Sequence, residues 1–403
     1  MRNDLAIEIL KKIADVPTAS FYEDMIHATI ERIYRELFET NMSLSLEYDI
    51  YGNMIIHYSD ASQTRSIGSI AYVAHTDHPA LHVTPLINGT YEAKMMGGLN
   101  TELIVGTRVV LHGDPAKQEA NIGKGIVTNA LDVGSSNPSR RYIIESTEPN
   151  QPESFQHARF ATLDIDGLHI SNSIIRAPVL DDYASIAMSL AALKGIADLR
   201  LPVDMYVVFH KAEEVGLIGA YCVASNKLLP SDTFVYSIET SSYLAKRNVD
   251  DPEPVKIAGV GEGIILRTGD RITPTYNIEA LCLGRSAALN KFKPSYQQVR
   301  MFGGNCEASL YYALGYRAAG ICLPLIGWHN NGKLEGRDEM VPEGVHLDDV
   351  LGGAAFMVKI AETLCDRPEL YRNLGKHDIT PEHVRMLASA EASFNGYQAD
   401  NLI

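Results

Sequence analysis

The side chains that could act together chemically fall in five places along the chain: His75-Thr-Asp77, Leu180-Asp181-Asp182, Glu213-Glu214, Glu239, and Trp328-His329. No thiolate belongs to the set, and imidazole with carboxylate suits a pair of hard or borderline divalent cations. A carboxylate bridges two cations where an imidazole cannot, and an aspartate fixed at a helix entry, as in Asp181-Asp182, suits that position. Two cations ~3.5–4 Å apart lower the pKa of a shared water and clamp the oxyanion of a tetrahedral intermediate. A carboxylate that is not a ligand is then needed as general base. The doubled Glu213-Glu214 supplies one side chain for metal and one for water. Each piece alone has a plainer explanation: adjacent Glu residues line solvated faces, and Asp-Asp before a helix caps it. The joint pattern carries the reading. Lone His57, His112, His169 and His346 lack this context and are expected to be structural or surface residues.

Positioning these clusters requires elements whose ends meet. Ile70–Ala74, Met205–Phe209, Phe234–Ile238 and Gly320–Leu323 are short continuous apolar runs of the kind buried on both faces of a sheet. Their carboxyl ends run into His75, Glu213-Glu214, Glu239 and Trp328-His329. Asp181-Asp182 opens a helical pattern through Ala197, with Ile186, Leu190, Leu193 and Ile196 on one face. In an open α/β sheet the ligand site lies at the strand carboxyl ends, so clusters far apart in sequence converge there. Upstream, Leu5, Ile9 and Ile13 predict one amphipathic helix, and Ile26, Ile30, Ile33 and Leu37 a second. Two strands, Leu44–Tyr48 and Met54–Tyr58, are expected about a turn at Gly52-Asn53. Between Pro79 and Pro178 the texture changes to short alternating segments separated by Gly, Asn, Asp and Ser. The expected fold is therefore α/β, a mixed, mostly parallel sheet flanked by helices with an inserted all-β domain. The expected division is residues 1–79 and 177–365 for the α/β domain, 80–176 for the β-rich insert, and 366–403 for a C-terminal extension.

Composition narrows the partners. A chain of 403 residues with 46% apolar and 21% charged residues can bury a large core, and a net charge of −15 is the wrong sign for neutralising phosphates. Nucleic acid is not an expected partner. No segment approaches the ~20 apolar residues of a membrane span, and the first twenty residues hold no continuous apolar run of a secretory signal. Cys222, Cys282, Cys306, Cys322 and Cys365 are odd in number and never in C-x-x-C spacing, so they read as reduced thiols in a cytoplasmic protein.

These residues resemble the tetrahedral aminopeptidases, which include glutamyl aminopeptidases among cocatalytic two-metal metallopeptidases. The resemblance runs from Leu5 to Leu364 through Tyr51-Gly-Asn-Met-Ile, AYVAHTDHPALHV, PVLDDYAS, KAEEVGLIGA, MFGGNCEAS and ICLPLIGWHN. It implies one metal on His75, Asp181 and Glu239 and the other on Asp181, Glu214 and His329, with Asp181 bridging. It further implies Glu213 as general base, Asp77 as the residue orienting His75, and Gly304 and Asn305 on the substrate side. A β-rich domain serving assembly and access, and a large homo-oligomer, are implied in the same way. This chain departs from the family pattern at Glu239, where Asp is usual, at His78-Pro79, at Tyr183, and at Asn305-Cys306-Glu307.

The expected function is two-metal amide hydrolysis, first as an aminopeptidase on peptide N-termini and, as the alternative, as a deacylase of a small N-acyl substrate. The cofactors expected are two divalent ions, zinc first and cobalt or manganese next. A non-catalytic scaffold would not need the full ligand set with a base beside it. A carboxylate-pair glycosidase would need its acids ~5–9.5 Å apart across a sugar bond, which adjacent residues serve poorly.

Overall fold

A computed structural model describes residues 4–60, 68–86, 89–131, 140–148, 156–245, 254–289, 296–301, 304–367 and 379–401. Its centre is an eight-stranded mixed sheet. Four neighbouring strands, Asp204–His210, Ser69–His75, Phe234–Ser242 and Arg317–Leu325, run parallel in that spatial order. They are the strands whose apolar runs point to the site, and Ser69–His75 and Arg317–Leu325 are buried at every position. Leu44–Tyr48 and Met54–Tyr58 add an antiparallel edge on one side. Ile264–Gly269, antiparallel to Arg317–Leu325, and Tyr296–Arg300 complete the other.

Helices flank the sheet. Tyr183–Leu199 is buried along nearly its whole length because Ala, Ser and Gly alternate with Ile, Leu and Met, leaving no polar face. It packs between Leu5–Ile13 and Leu347–Asp366, and Ile278–Leu289 packs on the latter. Ile218–Ser225 and Glu307–Ala313 form a second group with the C-terminal helix, Pro381–Asn401. One apolar cluster joins the sheet to these helices, from Leu10 through Tyr72, Leu190 and Phe356.

A separate sheet closes into a six-stranded barrel, in the order Ala80–Pro85, Thr90–Met96, Arg141–Ser146, Gly123–Ala130, Arg108–His112 and Phe160–Leu163. Alternation decides what lies inside it: Tyr91, Ala93 and Met95 are buried while their neighbours are not, and they join Val109, Leu111, Val127 and Ile144 in the barrel's own cluster. The strands His169–Ser171 and Ile174–Ala177 stand outside the barrel and pair with Glu343–His346. Of the lone histidines, His57 stacks on Tyr206, His112 is buried against Thr162, His169 is exposed, and His346 caps the Leu347–Asp366 helix. No helix among the described residues is long and apolar enough to cross a membrane.

Candidate active site

Four adjacent parallel strands deliver the acidic and imidazole groups to one edge. His75 is the last residue of Ser69–His75, and Glu213 and Glu214 follow Asp204–His210 in a turn with positive φ at Ala212, Gly216 and Leu217. Glu239 lies inside its strand rather than after it. Pairing with Ser69–His75 stops at Ser237, whereas pairing with Arg317–Leu325 continues to Ser242, so the strand outruns the apolar run. His329 sits beyond Arg317–Leu325 with φ 51°, between Gly327 and Asn330, which also have positive φ. Such backbone needs external support.

Asp181 is the meeting point. Its Oδ1 is 3.4 Å from His75 Nε2 and its Oδ2 is 3.9 Å from His329 Nε2, while Glu214 Oε1 is 3.1 Å from the same His329 nitrogen. Ligand atoms of Asp181, Glu214 and His329 lie within 4.8 Å of one another, as do those of His75, Asp182 and Glu239 and those of His75, Glu213 and Glu214. The Gly304 carbonyl accepts from Arg271 N, and Asn305 lines a cavity beside the Glu213 turn. Phe302 and Gly303 of the same motif lie outside the described residues.

The donor set fits divalent cations. His75 donates through Nδ1 to the Asp77 carbonyl at 3.1 Å, and His329 through Nδ1 to the Gly98 carbonyl at 3.0 Å. Both rings thereby turn their Nε2 lone pairs toward carboxylates. Lone pairs facing one another in a dry site need a proton or a cation between them. Asp181 Oδ1 and Asp182 Oδ1 are buried without a hydrogen-bond partner. Titration carries the same strain: burial pushes Glu239 up to about 8, partly offset by His75 and reinforced by Asp181. Burial also raises Glu213 well above the carboxylate range, with Glu239, Glu214 and Glu307 adding repulsion. Against burial, Glu214 and Asp181 lift His329 to about 9.

Supporting groups hold the loops. Asp77, fully buried, accepts from Glu213 N at 2.9 Å, Glu214 N at 3.1 Å and Ser20 Oγ at 2.6 Å, while its Oδ1 lies 3.5 Å from His75 Nδ1. One carboxylate therefore fixes both a histidine and the Glu-Glu turn. Glu343, also fully buried, does the same opposite: Oε2 accepts from Leu180 N and Asp181 N at 2.8 and 2.9 Å, and Oε1 from His329 N at 2.9 Å. His78 reaches the Asp181 carbonyl at 2.7 Å and Asn330 Oδ1 at 3.0 Å. Glu343 and Gly98 are not marked by sequence spacing, and Asp182 enters the sequence pattern only as the neighbour of Asp181 at a helix entry. Asp182 reads there as a cap, but at the N-terminus of Tyr183–Leu199 its side chain makes no capping bond. Glu343 opens a short strand that follows no long apolar run, and the only trace of Gly98 is the Gly97-Gly98 pair.

A sequence model of the M42 glutamyl aminopeptidase family matches residues 52–338. The chain belongs to that family. This makes it a metallopeptidase of a metal-dependent family. Solved M42-like structures share the fold. Aminopeptidase APDkam598 of Desulfurococcus kamchatkensis is 20% identical with a TM-score of 0.70, over 94% of this chain and 100% of its own. The TET aminopeptidase of Thaumarchaeota archaeon SCGC AB-539-E09 is 17% identical with a TM-score of 0.70, over 91% and 99%. The TET1 peptidase of Pyrococcus horikoshii is 19% identical with a TM-score of 0.66, over 88% and 99%. A comparison with curated proteins gives no match.

Proposed function

We propose that this M42 protein is an aminopeptidase that removes residues from peptide N-termini with two divalent cations. The residues that would hold them are His75, Asp181 and Glu239 for one and Asp181, Glu214 and His329 for the other, with Asp182 against the first set. The observation that carries this reading is Asp181, whose two oxygens face the Nε2 atoms of two histidines, one ending Ser69–His75 and the other beyond Arg317–Leu325. When bound, such cations acidify a water and polarise the scissile carbonyl.

The chain's own groups do the rest. Glu213 takes a proton from the attacking water and returns it to the leaving amine, a role that suits a buried carboxyl held above the ordinary carboxylate range. Asp77 keeps Glu213 in place through its backbone N–H and keeps His75 in the tautomer that leaves Nε2 free. Arg267, buried on Ile264–Gly269, bonds Ser241 at 2.9 Å but leaves Nε and Nη1 without partners. Its charge acts on Glu239, favouring the ionised carboxylate against burial, so Arg267 supports one of the residues that would hold metal. The barrel and its flanking strands, residues 80–176, would form an inserted domain. A large homo-oligomer is supported by the tetrahedral and octahedral assemblies described for the Pyrococcus TET1 peptidase. Five unpaired cysteines suit the cytoplasm.

Metal analysis with chelation and add-back, read on Glu-, Asp- and Leu-anilides and on N-acyl amino acids, tests the proposal. Turnover of anilides restored by metal supports it; turnover confined to N-acyl substrates would make the protein a deacylase. Glu213→Gln should keep its metal and lose about 10²–10⁴-fold in kcat. A variant with near-normal rate refutes the assigned role.

A further inference from the structure

The C-terminal helix, Pro381–Asn401, lies beyond the residues matched by the family model and is anchored on the catalytic body. His383 accepts from Thr380 N through Nδ1 and donates through Nε2 to Thr273 Oγ1 at 2.8 Å. Met386 and Ala390 are buried, and Phe394 sets its ring edge-on to Tyr51 with centroids 4.8 Å apart. Between this helix and the turn that follows Glu213-Glu214 is a cavity of about 480 Å³, within the range of small-ligand sites. Leu217, Ile272 and Met386 give it an apolar floor, and Arg271, Asn305 and Arg385 a polar wall.

Its charge runs against that of the chain. Where the whole protein carries −15, this wall holds two guanidinium groups and one carboxylate, Glu382. Arg385 pairs with Glu382 on its own helix, whereas the Arg271 side chain has no hydrogen bond or ion pair among the described residues. The cavity also shares a turn with the proposed base, since Leu217 N donates to the Glu213 carbonyl at 2.8 Å. A base that protonates the leaving amine must sit beside the residue that leaves, so chain downstream of the scissile bond passes this turn.

We propose that the cavity is a subsite for a carboxylate on the leaving portion of the peptide, held by Arg271 and Arg385 over the apolar floor. The proposal rests on the aminopeptidase reading. That carboxylate is either the C-terminus of a short peptide or a downstream acidic side chain. The C-terminal helix is then a specificity element, because it supplies one of the two arginines.

Four Glu-initiated tripeptides test this with the metal-loaded enzyme: free acid or C-terminal amide, each with Glu or Gln at the last position. The wild type should show a KM about tenfold lower for the peptide whose carboxylate reaches the cavity. Dependence on amidation identifies the terminus as the source, and dependence on Glu against Gln identifies the side chain. Arg271→Gln and Arg385→Gln should each raise KM for that peptide toward the uncharged value and erase the preference. Equal KM for all four peptides in the wild type, or a preference that survives both substitutions, overturns the subsite. Calorimetric binding of the leaving dipeptides, as acids and amides, gives a readout independent of turnover. An enzyme that cleaves nothing yet binds the acids in an Arg271-dependent way refutes the peptidase reading and upholds the subsite; indifference to the carboxylate in calorimetry overturns it.

Discussion

Gly98 is where the barrel side of the molecule touches the site, and a single methyl group there has a calculable effect. A Cβ built on Gly98 falls 2.9 Å from His329 Nδ1 and 3.0 Å from its Cε1, where ordinary contact begins at 3.4 Å. The ring must retreat by about half an ångström, away from the carbonyl that fixes its tautomer. His329 cannot yield freely, since its backbone N–H is tied to Glu343 and its φ of 51° leaves little room to turn. Gly98→Ala should therefore lower affinity for one of the two cations by about 10–100-fold, the usual cost of disturbing a group that orients a metal-binding histidine. Competition against a chelator of known affinity, with metal stoichiometry and thermal midpoint measured on the same sample, reads this directly. Affinity for both ions within twofold of the wild type, with the fold intact, would refute the coupling through Gly98.

Three further outcomes follow from the supporting carboxylates and from titration. Glu343→Ala orphans the N–H groups of Leu180, Asp181 and His329 at about 1–3 kcal/mol each, so chemical denaturation should show one of the largest losses of any single substitution in the site. Asp77→Ala should lower both kcat and metal affinity, because it frees the backbones of Glu213 and Glu214 together; a loss of neither in the folded variant would contradict this. Without metal, Glu239 at about 8 and His329 at about 9 each keep a proton that the unfolded chain has released by then. Their stabilising protons are fully present below the unfolded pKa and lost as pH rises through 8 and 9. Buried His27 and His112, lowered to about 3 and 4, act in the opposite sense, but that change is complete by neutral pH. Metal-free protein should thus lose stability by about 1 kcal/mol per pH unit for each group, both acting from pH 7 to about 8 and His329 alone from there to about 9, and saturating metal should abolish the loss. A flat thermal midpoint across that window in the metal-free protein would count against the site's electrostatics.

Much of the architecture is written locally. Apolar runs long enough for one strand, with acidic or imidazole residues at or beyond their ends, locate the four parallel strands, because a strand buried on both faces is mostly apolar. His75, Glu213, Glu214 and His329 are legible from residue type and position at or after those ends, and Asp181 from its place at a helix entry. Glu239 is legible in the same way, though its place within the strand depends on where a neighbouring strand lets go.

Tertiary structure alone decided what holds those residues. Glu343 gathers the backbones of two loops that are separated by more than a hundred residues, and Gly98 lends a carbonyl from the other side of the barrel connection. Neither carries a periodic or motif signal, since an acceptor for a backbone N–H can come from any stretch of chain that passes at the right distance. The cavity under the C-terminal helix is likewise a product of packing, built from a turn, a loop and a terminal segment with no common pattern. Residue type determined which chemistry was open to this protein, and the fold determined which distant atoms stand close enough to perform it.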